Sequence, residues 1–325
     1  MTFLHYLSIL GIATAALSAP HTRPKRVSRA DIPSDCLTVG RSGTYSTIAD
    51  AIAALGSSTS EACISIAAGT YEEQLAFEYG GPLTLYGETT DSSSYDGNTV
   101  TITHTMTSTE AGNLVASATV NVAMDDFAMY NINVVNGYGA GTQAVALAAT
   151  GERQGYYGCQ FIGYQDTLYA REGIQYYSNS YIEGATDYIF GDASSWYESC
   201  DIVSSGKGYI TAMSRETDDD PSWYCFNNCD ISGKSGTDLS EQVYLGRPWR
   251  VLARVIYQNS QLSDIIHPEG WTTMAEGATP LYYEIGNTGD GADTSEREYT
   301  TEIEAAVDRE TVLGSGWEDW VDGDY

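Results

Sequence analysis

The sequence predicts an all-β fold, a solenoid of stacked parallel coils, and two observations point to it. The first is an internal repeat. Asn131-Ile-Asn-Val134, Gly158-Cys-Gln-Phe161, Asn179-Ser-Tyr-Ile182, Ser199-Cys-Asp-Ile202, Asn228-Cys-Asp-Ile231 and Asn259-Ser-Gln-Leu262 share one pattern. Each block has a small polar residue or glycine, then a small or apolar residue, then an exposed position, then an aliphatic or aromatic one. The second members, Ile132, Cys159, Ser180, Cys200, Cys229 and Ser260, follow one another at 27, 21, 20, 29 and 31 residues, as coils with loop insertions of varying length require. The second observation is composition: 33 glycines and 25 tyrosines against 8 prolines, in short β-rich runs rather than strands alternating with helices.

From the N-terminus, Leu4, Leu7, Ile9, Leu10, Ile12 and Leu17 among small residues, closing at Ala15-Ala-Leu-Ser-Ala19, read as a secretory signal peptide over residues 1–19. Residues 20–30 follow as a short basic pro-segment containing Pro24-Lys-Arg26; a second trimming step after Arg26 and a solvated leader remnant fit it equally. Residues 31–325 form one catalytic domain, because the repeat runs through them. Thr47-Ile-Ala-Asp-Ala-Ile-Ala-Ala-Leu55 breaks the β pattern: Ile48, Ile52 and Leu55 fall on one helical face behind a Ser46 cap. That helix is placed over the exposed first strands of the solenoid. A second helical cover is expected over Ser295–Leu313. No later apolar run reaches the roughly 18 residues that span a bilayer, so a secreted, extracellular protein is expected.

Six cysteines in a secreted chain permit disulfides. Cys159, Cys200 and Cys229 occupy the repeating interior row. Cys159 and Cys200 stand two coils apart, roughly 9 to 10 Å by strand spacing, beyond a bridge's reach. Cys36 and Cys63, outside that row, are the preferred pair. The net charge of −29 argues against nucleic acid or anionic membrane as partner, since both need a positive face; the same acidity also serves solubility alone. A monomer is expected.

Two aspartates sit at one phase of the repeat: Asp166 lies seven residues after Cys159, and Asp187 seven after Ser180. Equivalent positions on adjacent parallel coils stand about 4.8 Å apart. Either acid alone reads as a turn or solvated loop residue; two in phase read as a pair. Like charges at about 5 Å repel by roughly 3 kcal/mol at an effective dielectric near 20, equivalent to about two pKa units, so one carboxyl group holds its proton while the other is ionised. Arg247, in Leu245-Gly-Arg-Pro-Trp249, is the candidate guanidinium that selects which acid stays ionised. Gln165 adjoins Asp166 and Gln143 lies one coil earlier. Their neutral amides can donate to an oxyanion, or form an interior amide ladder. Tyr169, Phe190, Trp249 and Trp271 lie in or near these segments and offer aromatic faces to a sugar ring. No zinc spacing and no calcium-type carboxylate cluster occurs, so neither metal nor cofactor is expected.

Five ordered segments, Gly69-Thr-Tyr-Glu-Glu73, Gln143-Ala-Val-Ala-Leu147, Gly163-Tyr-Gln-Asp-Thr-Leu-Tyr169, Asp187-Tyr-Ile-Phe-Gly191 and Leu245-Gly-Arg-Pro-Trp249, resemble those of pectin methylesterases (pectinesterases), and the chain looks like a secreted fungal member. The resemblance implies a right-handed parallel β-helix. It implies hydrolysis of the C6 methyl esters of homogalacturonan (pectin) in plant cell walls, yielding galacturonate and methanol. It also implies Asp187 as nucleophile, Asp166 as general acid then base, Gln143 and Gln165 as oxyanion donors, Arg247 holding Asp187, and sugar contacts from Trp249, Tyr169, Phe190 and Trp271. A pectin-cleaving enzyme on the same fold is the nearest rival, since carboxyl groups about 5 Å apart also suit a retaining glycosidase; a non-catalytic pectin-binding protein is another. A serine esterase is disfavoured, because no serine is framed as Gly-x-Ser-x-Gly.

Overall fold

A computed structural model describes residues 32–325. The signal peptide and pro-segment assigned to residues 1–30 therefore lie outside the described residues. The strands pair in parallel, coil upon coil, to make a parallel β-helix. One inward-facing row runs Leu75, Val120, Leu147, Leu168, Ile189, Thr211 and Gly246 on successive coils. A second row contributes aromatic rings: Tyr156, Tyr177, Tyr197, Phe226 and Tyr257 stack at centroid separations of 4.8, 4.8, 4.5 and 4.5 Å. The third row is Ile102, Val134, Phe161, Ile182, Ile202, Ile231 and Leu262, the fourth members of the repeat blocks where those occur. All of these third-row side chains are buried.

The first member of each block has a conformational reason. Asn131, Gly158, Asn179, Ser199, Asn228 and Asn259 all adopt left-handed backbone, with φ between 46° and 55°. An L-residue with Cβ pays roughly 1–2 kcal/mol there, which glycine avoids and asparagine offsets by local hydrogen bonding. The chain thus turns a corner at each block, then buries the second and fourth members. Cys159, Cys200 and Cys229 are buried in that interior row, and Ser180 Oγ accepts from Cys159 N at 3.1 Å. Cys36 and Cys63 form a disulfide, with Cα atoms 4.7 Å apart.

The N-terminal helix spans Ile48–Leu55, and its cap is Thr47, not Ser46: Thr47 Oγ1 accepts from Asp50 N at 3.1 Å. The Glu73 carboxylate receives the Ile48 and Ala49 amides at 3.0 and 2.9 Å, satisfying two more free N–H groups at the positive end of the helix. Ile48 and Ala51 are fully buried, with Ile52 and Leu55 packed beside the same core. At the other end, the helix expected over Ser295–Leu313 is reduced to Arg309–Leu313, capped by Asp308. The preceding chain is irregular instead, with Gln258 both donating to Val307 O and accepting from Val307 N. Val312, Leu313, Trp320 and Val321 pack with Tyr130, Tyr157, Tyr176 and Trp196 on the outside of the coils.

The stacked ring row makes a direct prediction. Phe226→Ala empties one step between Tyr197 and Tyr257, and stability should fall by about 3–5 kcal/mol, measured as the shift in the chemical denaturation midpoint against wild type.

Candidate active site

Gln165 pairs with Thr186, and Leu168 with Ile189, on adjacent coils. The offset is 21 residues in both places, so Asp166 and Asp187 face one another across the gap between coils. Both depart from strand geometry, with φ of 63° and 50°, a conformation Asp tolerates better than most side chains. Both are nearly buried, at 4% and 7% exposure.

Arg247 reaches this pair from two coils further on. Its own amide is fixed by Thr211 O at 2.9 Å. The preceding Gly246 lies so close to Thr211 that a Cβ would fall 2.0 Å from Thr211 Oγ1; only glycine allows that approach. The guanidinium then forks onto Asp187, Nε to Oδ1 at 2.8 Å and Nη2 to Oδ2 at 2.7 Å, the bidentate geometry that an ammonium cannot reproduce. Its plane lies over the Tyr209 ring, 3.8 Å from the centroid, so it is held from a second side. Burial opposes its charge, but the hydrogen bonds and Coulomb attraction of Asp187 outweigh that and raise its pKa.

Asp166 has no such fork. Burial first, and the Asp187 charge second, raise its pKa to about 8; Arg247 and a hydrogen bond from Gln143 oppose the rise. The two carboxyl groups therefore differ in kind: one is a protonated acid at neutral pH, the other is clamped by a cation. Gln143 is turned toward Asp166, with its carbonyl Oε1 receiving Ser108 Oγ at 3.1 Å. Gln165 precedes Asp166, and its main-chain carbonyl accepts from Ala144 N at 3.1 Å, next to Gln143.

Tyr169, Phe190 and Trp249 form one aromatic cluster. Tyr169 and Phe190 occupy paired positions and stack at 4.3 Å, while Trp249 lies 6.4 and 5.9 Å from them. Phe190 is only 2% exposed and backs the other two rather than presenting a face of its own. Trp271 does not join them. It pairs with Gly246 in the inward row, stacks on Tyr282 at 4.0 Å, donates Nε1 to Glu284, and is fully buried. The expected sugar contact from Trp271 is corrected accordingly: the bulk that suggested a ligand face fills the core beside a glycine.

The pectinesterase family model matches residues 36–324. The chain belongs to the pectinesterase family. It is 75% identical over 320 residues to Pectinesterase A of Emericella nidulans and 65% identical over 320 residues to Probable pectinesterase A of Aspergillus niger, covering 98% of each chain in both comparisons. The crystal structure of the pectin methylesterase from Aspergillus niger matches with a TM-score of 0.90 at 66% identity, over 93% of this chain and all of that one. Pectin methylesterase from carrot matches at 0.77 and 27% identity, over 86% of this chain and 91% of the other. This pectinesterase is thus a carboxylic ester hydrolase, as its relatives are.

Two residues at the site of this pectinesterase escaped sequence reasoning. Tyr209 pairs with Thr186, beside Asp187, but irregular pairing between Gly184 and Ile189 breaks the spacing that would have revealed it. Ser108 lies outside every repeat, and no spacing pointed to it.

Asp166 also links the site to stability. Its folded pKa lies above the unfolded value of about 3.9, so the proton-bound form is favoured by folding, and stability is lost as pH rises from about 4 through about 8. Asp166→Asn removes that loss. The variant should melt at a higher temperature than wild type at pH 9, with the two curves converging near pH 3; the check is calorimetry across that range.

Proposed function

We propose that this enzyme hydrolyses the C6 methyl esters of homogalacturonan in plant cell walls, using Asp187 as nucleophile and Asp166 as general acid and then base. The observation that carries the reading is the asymmetry of the pair: two facing carboxyl groups, with the Arg247 fork on one and a raised pKa on the other. An ionised carboxylate held in a fixed plane suits nucleophilic attack, and a carboxyl that keeps its proton near neutrality suits protonation of a leaving group.

Asp187 Oδ attacks the C6 carbonyl carbon, and the carbonyl electron pair moves onto oxygen. Gln143 and Gln165 donate their amide N–H groups to that oxyanion. As it collapses, the C6–O bond to the methoxy group breaks, the Asp166 proton passes to the departing oxygen, and methanol leaves. Acylated Asp187 is now neutral, so the charge that adds to burial in raising the pKa of Asp166 is gone and Asp166 ionises more readily. Asp166 takes a proton from water, whose oxygen attacks C6. The bond to Asp187 breaks, and the carboxylate returns to the Arg247 fork.

Tyr169 and Trp249 supply the sugar-facing surface, with Phe190 behind them. Residues 1–19 serve as a signal peptide and 20–30 as a short pro-segment ahead of one catalytic domain over 31–325, secreted to the outside of the cell and acting as a monomer. No metal or other cofactor enters the scheme.

Asp187→Asn should keep the fold and abolish methanol release, since an amide cannot replace the nucleophile; turnover near wild type overturns the assignment. Gln165→Ala should lower kcat by roughly 10²-fold with a smaller change in KM. An effect on KM alone would mark Gln165 as a sugar contact. Both are read by methanol release, set against new reducing ends to separate ester hydrolysis from chain cleavage.

A further inference from the structure

We infer that Ser108 is a positioning residue for catalysis, holding the carbonyl end of Gln143 so that its amide N–H end stays aimed at the reacting ester. The inference rests on the oxyanion role proposed for Gln143.

The two ends of the Gln143 amide face groups of opposite character. Oε1 receives the Ser108 hydroxyl at 3.1 Å, and the other end donates toward Asp166. A glutamine side chain swings about several bonds, and an amide that swings or inverts offers a carbonyl oxygen where a donor is needed. An oxyanion donor acts only if it is held in place before charge develops. Ser108 supplies the second point that fixes the amide plane.

Ser108 is itself fixed. Its main-chain N–H donates to Gln143 O at 2.9 Å, so the two residues are tied by backbone as well as side chain. It opens a short helical turn, Ser108–Ala111, whose start is locked by a reciprocal cap: Thr107 Oγ1 accepts from Glu110 N at 3.1 Å, and Glu110 Oε2 accepts from Thr107 N at 3.0 Å. The buried Asn136 amide binds this segment to the Gln143 coil, donating to Met106 O, Ser117 O and Val145 O at 2.9, 3.2 and 2.9 Å. The turn survives loss of the Ser108 hydroxyl, because every one of these bonds uses other atoms. The hydroxyl has one bond to Gln143, and that bond bears on the reaction.

The test is a double-mutant cycle between Ser108 and Gln143, assayed by methanol release over a range of pH. Ser108→Ala and Ser108→Val should lower kcat about 10-fold, part of the roughly 10²-fold expected for losing the donor itself, with KM little changed and the melting temperature close to wild type. Ser108→Thr, which restores the hydroxyl, should recover most of kcat. In the Gln143→Ala background the Ser108 substitutions should cost nothing further. The alkaline limb of the kcat profile should also move upward in Ser108→Ala, because a loosened Gln143 no longer stabilises ionised Asp166. Wild-type kcat in Ser108→Ala, or the same loss in the presence and absence of Gln143, overturns the positioning role while leaving the donor role of Gln143 intact. Wild-type kcat in Gln143→Ala alone overturns the donor role, and the role of Ser108 falls with it.

Discussion

Parallel in-register pairing between successive coils is the constraint on which the site depends. Once Leu168 lies beside Ile189 and Gln165 beside Thr186, the positions of Asp166 and Asp187 follow from strand spacing alone, and neither can retreat without breaking the ladder around it. The same pairing sets Tyr169 against Phe190 and carries the Thr211 and Gly246 row to where Arg247 reaches Asp187. Left-handed corners at Asn131, Gly158, Asn179, Ser199, Asn228 and Asn259 turn the chain at the same phase of successive coils. Precision at the site therefore comes from backbone hydrogen bonds and ring stacking far more than from contacts among the reacting groups.

Given that placement, electrostatics divides the labour. One guanidinium serves two carboxyl groups and forks onto only one of them. Asp166 is left buried beside a charge and holds its proton to about pH 8. The arrangement costs stability wherever Asp166 must ionise, which is the familiar tension between a working site and a relaxed one. In the proposed mechanism the pair would also reset itself: acylation of Asp187 would remove the charge that, with burial, disfavours ionised Asp166, so each half of the reaction would prepare the acid for the next.

Much of this was legible in the sequence, where physics leaves a periodic mark. The repeating interior row, the in-phase aspartates and the Cys36–Cys63 pair follow from spacing or from exclusion, and the structure places each accordingly. What did not show were features set by a single tertiary contact. Trp271 lies near the Arg247 motif in sequence, yet its pairing with Gly246 sends the ring inward. Thr47 caps the first helix because its own backbone is extended, a choice that Ser46 offers equally on paper. The C-terminal segment shows enough helical character to suggest a long cover, but Gln258 takes up the Val307 N–H and carbonyl, and only five helical residues follow. Tyr209 lies in an irregularly paired stretch and Ser108 opens a short helical turn outside the repeat, where no period exists to be read.

The division of labour between the two carboxyl groups is most directly tested by following the Asp166 side-chain carbon in carbon-13 aspartate-labelled enzyme by NMR across pH, with its signal identified by its loss in Asp166→Asn. The account predicts titration at about 8, falling when Asp187→Asn removes the neighbouring charge and releases Arg247. Titration near the ordinary aspartate value of about 3.9, unmoved by Asp187→Asn, would contradict it.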